Sequence, residues 1–350
     1  MYLDDFDRKL KYFDAFWERE IIDRPLIGIK APKKPLLPVE YLENAESGDY
    51  MPVLEKVARN FENTWFGGES LPVFECSFGP DQFGSFLGGE IVFSREMLTS
   101  WVKPFWDDDY SEESVKFDTT KGSSFDRLMD FIKTAAKFAD GKFLISMLDL
   151  HGNMDAIAAA RGSQNLCMDL IEDPDKVERV LNKILPLFPK VIDSVAEAGN
   201  MEKNGYLGWI PTYSRGKFAV LQCDFSIMIS PEMIRRFVVP AIEYEASCLK
   251  HCVYHYDGPG ALSHLDEILG IKGIDVIQWV PGAGQPRTLE WMDLLKKIQK
   301  SGKGLWLGDW TPQEIKDHFK ELEPGGVMYE TWVNSPEEGE EFLKYIKRAM

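Results

Sequence analysis

The sequence predicts an α/β fold, a (β/α)8 TIM barrel, and three observations predict it. Past about residue 70, short apolar runs and amphipathic stretches alternate about eight times, and that many βα units over about 280 residues fit one barrel. The strand-like runs are apolar along their length, as strands buried on both faces are. Several helices announce themselves by a cap followed by proline: Ser230-Pro231-Glu232, Thr311-Pro312 and Ser335-Pro336-Glu337. A doubly wound open sheet is the competing arrangement. Its glycine-rich first turn is absent, since Gly282-x-Gly284 lacks a third glycine and comes late. No P-loop, Gly-x-Ser-x-Gly or His-Glu-x-x-His motif occurs.

In chain order, Phe6, Leu10, Phe13 and Phe16-Trp17 recur at helical spacing within residues 1–24. Asp23-Arg24-Pro25 ends that helix, and Pro25–Ile29 reads as a strand. Residues 32–48 read as loop and 51–63 as helix. Residues 1–69 are thus expected to form an N-terminal extension packed on the body, with the barrel over 70–350 as one structural domain. Strands follow at 71–76 and 142–147, with a solvated acidic loop over 90–122 that includes Asp107-Asp108-Asp109, and a helix over 124–139. Helices are expected from just after Asn153, read as the N-cap, to about 161 and over 174–198, and strands over 206–210 and 219–223. A helix over 230–249, bent near Pro240, leads into the strand 252–256. Gly258-Pro259-Gly260 then turns the chain into a helix over 261–269. Three more strand–helix units close the chain: strands at 274–279, 304–307 and 327–329, and helices at 289–300, after Thr311 and after Ser335.

Composition narrows the function. A net charge of -17 over 350 residues argues against a nucleic-acid or anionic-membrane surface. No apolar run approaches the roughly 18 residues of a membrane span. The acidic start, Met1-Tyr2-Leu3-Asp4-Asp5, is unlike a secretory signal. Five scattered cysteines (Cys76, Cys167, Cys223, Cys248 and Cys252) without a Cys-x-x-Cys pair suit reduced thiols, so a cytoplasmic location is expected.

In a barrel the active face lies at the carboxyl ends of the strands. Those ends offer Glu75 and Cys76, Asp149 and His151, Trp209 and Tyr213, Cys223 and Asp224, His255 and Asp257, Gln278 and Trp279, Asp309 and Trp310, and Glu330 and Trp332. His255 and Asp257 stand two apart on one strand, so both side chains leave the same face. Zinc accepts imidazole nitrogen, thiolate sulfur and carboxylate oxygen. His255 and Asp257 with a third ligand from Glu330 or Cys223 suffice for such a site, and Asp224 suits the orientation of His255. The same residues have plainer uses: Asp257 caps a helix equally well, Glu330 suits an ion pair, and Cys223 suits burial. His151, Trp209, Tyr213, Gln278, Trp279, Asp309 and Trp310 are the candidates for binding substrate. Aromatic groups at a mouth favour an apolar or cationic one.

Asp23-Arg24-Pro25, Phe66-Gly67-Gly68-Glu69-Ser70-Leu71-Pro72, Phe78-Gly79-Pro80, Asp155 through Gly162, Asp224 with Ile229-Ser230-Pro231-Glu232-Met233, Phe237 through Pro240, and His255 through Leu262 together give the chain a family likeness. It resembles the uroporphyrinogen decarboxylase superfamily, which includes corrinoid-dependent methyltransferases. The resemblance implies a (β/α)8 barrel with its site at the carboxyl face. The arginine-rich N-terminal motif of true uroporphyrinogen decarboxylases is missing, and an acidic strand-end set repels a many-carboxylate substrate. In the methyltransferase branch zinc is held by His-x-Cys and a later Cys. Here His255 matches the His, Asp257 stands for the first Cys, and Tyr329-Glu330 lies near the second. The resemblance therefore implies methyl transfer between a small methylated substrate and a corrinoid. No Asp-x-His-x-x-Gly segment is present, so the corrinoid is expected on a partner protein. His255, Asp257 and Asp224 are the expected catalytic residues. The alternative is a metal-independent decarboxylase or lyase acting on a small organic acid.

Overall fold

The computed structural model describes residues 5–39, 48–94, 96 and 99–350. The start Met1–Asp4 and much of the loop expected over 32–48 lie outside the described residues, as do residues 95, 97 and 98 of the acidic stretch. The strands are β1 (Leu26–Pro32), β2 (Thr64–Gly68), β3 (Val73–Phe74), β4 (Ile91–Ser94), β5 (Thr99–Val102), β6 (Leu144–Ile145), β7 (Phe218–Leu221), β8 (His251–Asp257), β9 (Val276–Val280), β10 (Gly304–Leu307) and β11 (Val327–Trp332). Seven of them make one sheet in the order β2-β1-β11-β10-β9-β8-β7. All its pairings are parallel except β1 with β2. The strands β3 and β6 pair in parallel with each other, and β4 and β5 form a hairpin.

The expected rhythm of strand and helix is present as an α/β fold with a parallel sheet, but the sheet does not close through a continuous ladder. Between β6 and β7 the expected strand 206–210 is absent. Tyr206 instead bridges Ser214 in the antiparallel sense, so the chain doubles back there. The loop expected over 90–122 contains the β4–β5 hairpin, and Asp108 of its acidic run pairs with Arg161 at 2.6 Å. The helix expected over 230–249 is divided. Ser230 caps a first turn at Pro231–Met233, a π-turn spans Ile234–Val238, and an α-helix follows at Val239–Ser247. Pro240 supplies the cause, because it has no N–H for the regular ladder and its ring crowds the preceding turn. The segment after β8 is a 3-10 run, Pro259–His264, before the α-helix Leu265–Gly270. Among the described residues no helix is long and apolar enough to cross a membrane.

The N-terminal stretch is tied into the body. β1 lies between β2 and β11, so part of residues 1–69 belongs to the main sheet. The link to the body is the parallel pairing of β1 with β11, and within the stretch a buried ion pair fastens the start of β1 to the segment after β2. The Arg24 guanidinium grips Glu69 with Nη1–Oε2 at 2.7 Å and Nη2–Oε1 at 2.8 Å, and the Glu69 side chain is 0% exposed. Glu69 also accepts the Ile27 N–H at 3.2 Å. Lys9, fully buried on the helix Phe6–Trp17, donates to the carbonyls of Phe66 at 2.9 Å and Ser70 at 3.0 Å. Removing one member leaves a buried charge without its partner, at a cost of about 3–5 kcal/mol. Glu69→Ala and Arg24→Ala are each expected to lower the urea unfolding free energy by about that amount, while the double variant loses less than the sum.

Candidate functional site

The site is built on the register of β8 and β9. His255 pairs with Gln278 and Asp257 with Val280, and in parallel strands paired residues share a face. His255 Nδ1 meets Gln278 Oε1 at 2.6 Å. With an amide oxygen as acceptor, Nδ1 carries the proton and Nε2 presents its lone pair to the mouth. The edge of Trp209 packs against the imidazole, with ring centroids 5.2 Å apart. Gly258 turns the chain just past Asp257 with φ at +77°, where a side chain is strained. Asp224 arrives from the 3-10 turn Asp224–Met228 that follows β7. Single ligand atoms of Asp224, His255 and Asp257 lie within 4.8 Å of one another. His255 is half-buried and both carboxylates are exposed. Burial and the nearby Asp224 raise the Asp257 pKa, against the pull of His255.

Asp224 also faces a second histidine. His151 lies within 3.6–4.0 Å of Asp149, Asp81, Asp155 and Asp224. Burial disfavours its charged form, yet Asp149, Asp155, Asp224 and Asp81 together outweigh that and raise its pKa. Asp155, from the first turn of the helix Asn153–Arg161, accepts the N–H groups of Asp224 at 2.9 Å and Phe225 at 2.8 Å. Glu75, just past β3, accepts the Asp149 N–H at 2.8 Å. Burial, reinforced by Asp149, pushes the Glu75 carboxyl up to about 8. Beside these groups opens a cavity of about 440 Å³, floored by Asp81, His151, Asp155 and Asp224 and walled by Trp101 and Phe225. A second cavity, of about 480 Å³, lies beyond Gln278 and includes Trp306, Arg287 and Asp309.

The structure brings together some of the expected residues and separates others. His255, Asp257, Asp224, Gln278, Trp209 and His151 converge on the mouth. The third member of the His255–Asp257 group is Asp224, where Glu330 or Cys223 was expected. Glu330 forms an ion pair with Lys30 across β1 and β11. Cys223 is buried, and burial holds its thiol well above the ordinary range, an inert setting. Tyr213 is at the opposite end of the strands. It packs on Phe6 and Phe13 next to Ser214, which bonds His251 at the start of β8. Trp279 follows Gln278 on the strand and so points away from the mouth, against Tyr256 and Trp291. Trp310 is buried against Tyr329 and His318. Asp309 accepts the Thr288 N–H at 3.1 Å on the wall of the second cavity. Asp81 and Lys30 went unnoticed in the sequence. Neither lies at a strand end with a polar neighbour two residues away, so no periodic signal marks them.

No protein-family model and no curated protein matches the sequence. Among solved structures, a methyltransferase from Methanosarcina mazei matches with a TM-score of 0.62 at 13% identity, over 97% of this chain and 98% of that one. The likeness establishes a shared overall fold.

The Glu75 environment has a measurable consequence. Its carboxyl is raised from the usual 4.5 to about 8, so between those values the folded chain holds a proton that the unfolded chain releases. Stability then falls as pH rises through that window. Wild type is expected to lose stability relative to Glu75→Gln between about pH 5 and pH 9 in urea titrations, with the difference growing toward the alkaline end.

Proposed function

We propose that this protein is a methyltransferase of the uroporphyrinogen decarboxylase-like superfamily. Its parallel sheet, taken with the β3–β6 pair, is read as an interrupted (β/α)8 barrel with the site at the strand carboxyl ends. The reaction moves a methyl group between the heteroatom of a small methylated substrate and a corrinoid carried by a separate protein. The observation that carries this reading is the convergence of Asp224, His255 and Asp257 at that face. The shared fold with a methyltransferase agrees with it.

The donor set fits zinc. It offers one imidazole nitrogen with its tautomer fixed by Gln278 and two carboxylates. Neither Asp224 nor Asp257 has a Lys or Arg ion-pair partner among the described residues, so charge is left for a cation. His255, Asp257 and Asp224 would hold a zinc ion, which would supply Lewis acidity toward the heteroatom that carries the methyl group. Gln278 keeps the His255 lone pair directed outward. Trp209 packs against one side of the imidazole and limits its motion. The acidic mouth disfavours anionic substrates and favours neutral or cationic ones.

A second reading is favoured by Glu75. Its carboxyl is protonated at neutral pH and suits proton donation to a carbanion, as a metal-independent decarboxylase or lyase acting on a small organic acid requires.

Elemental analysis separates the two. The expected result is about one zinc per chain in wild type and none in His255→Ala. Metal-free wild-type protein that releases carbon dioxide from small acids overturns the methyltransferase reading. Gln278→Ala is expected to weaken zinc binding about 10–100-fold in a competition titration with a chromogenic chelator, with the fold intact by circular dichroism.

A further inference from the structure

The helix Val239–Ser247 buries Ala241, Ile242, Glu245 and Ala246. A carboxylic acid on the apolar face of a helix, 1% exposed, requires a partner. Its partner is Asn153, itself 1% exposed and held at φ +41°, a left-handed conformation that costs a side-chain-bearing residue energy. Asn153 Nδ2 donates to Glu245 Oε2 at 3.1 Å and to the Gln222 carbonyl at 3.0 Å, and Asn153 Oδ1 accepts the Met154 N–H at 2.7 Å. The other carboxyl oxygen, Oε1, is buried, and a Cβ placed on Gly152 would stand 2.7 Å from it. Residues 151–155 therefore turn around one carboxyl group: Gly152 lies against it, Asn153 is bonded to it, and His151 and Asp155 project on either side into the 440 Å³ cavity.

We propose that Glu245 is a positioning residue, which locks Asn153 in its strained turn and thereby fixes His151 and Asp155 at the mouth. Glu245 touches neither the cavity nor the Asp224–His255–Asp257 group. Burial pushes its carboxyl up to about 8, so the group that acts at neutral pH is the uncharged acid, which an amide can imitate. The assignment holds for either reaction read above, because it concerns the placement of side chains.

The test is hydrogen exchange by mass spectrometry, combined with the ring NMR signals of the histidines at one fixed pH. Glu245→Ala is expected to speed exchange of the peptide covering residues 149–157 roughly five- to tenfold, as loss of a hydrogen bond implies. The helix Pro336–Ala349 keeps its rate, and among the histidine signals that of His151, assigned from His151→Gln, moves. Glu245→Gln restores both. Asn153→Gly, which retains the backbone conformation and deletes the amide, is expected to match Glu245→Ala and remains informative if that variant fails to fold. Uniformly faster exchange in Glu245→Ala, an unmoved His151 signal, or failure of Glu245→Gln to restore either measurement overturns the proposal.

Discussion

Like charge crowded at one mouth is the constraint under which this site is built. Two carboxylates about 4 Å apart repel by about 4 kcal/mol at the dielectric of a protein surface, and Asp81, Asp149, Asp155, Asp224, Asp257 and Glu75 share this region. The chain answers with different devices. Asp155 is satisfied by the backbone N–H groups of Asp224 and Phe225. Glu75 keeps its proton and accepts the Asp149 N–H. His151 is placed where the surrounding carboxylates favour its cation. Glu330 is removed from the pool by Lys30. Asp224 and Asp257 are left, facing imidazoles but no ammonium or guanidinium group among the described residues. The compensation is incomplete where the His255 lone pair points, and a bound cation would complete it.

What was legible in the sequence followed from period two. His255 and Asp257 had to share a face, and the strand ends collected the right acids. The same rule, applied strictly, would have separated Gln278 from Trp279, since neighbours on a strand cannot both face the mouth. Tyr213 departs from its expected place because 206–210 is not an ordinary strand. The bridge from Tyr206 to Ser214 reverses the chain and carries Tyr213 to the amino-terminal end of the strands, beside His251. Glu330 has the parity of a mouth residue, but its partner Lys30 lies 300 positions away, and no local pattern announces that pairing. Asp224 was expected to orient His255, and its standing as the third member of the group was not legible for a related reason. Asp224 follows β7 in a 3-10 turn, and its place beside His255 depends on Asp155 holding that turn by its backbone.

The break in the ladder explains how the polar side chains are distributed. From β7 to β11 the strands are hydrogen-bonded in sequence, and this continuous half carries His255, Asp257 and Gln278. A regular ladder fixes side-chain placement closely, as a binding or catalytic set demands. Glu75, Asp149 and His151 come from the other half, where β3 and β6 pair only with each other.

Across the gap between β6 and β7, side chains take over the joining that backbone does elsewhere. The Gln222 amide donates to Asp149 at 2.7 Å, Asn153 donates to the Gln222 carbonyl, and Asp155 accepts from Asp224 and Phe225. One backbone bond, from Met147 N–H to the Leu207 carbonyl at 2.6 Å, supports them. Such side-chain ties open more readily than a ladder, so the histidine on the interrupted side needs buried support that His255 does not. The buried Glu245 and the strained Asn153 stand at that seam, and Asp224, which belongs to both histidines, couples the two halves.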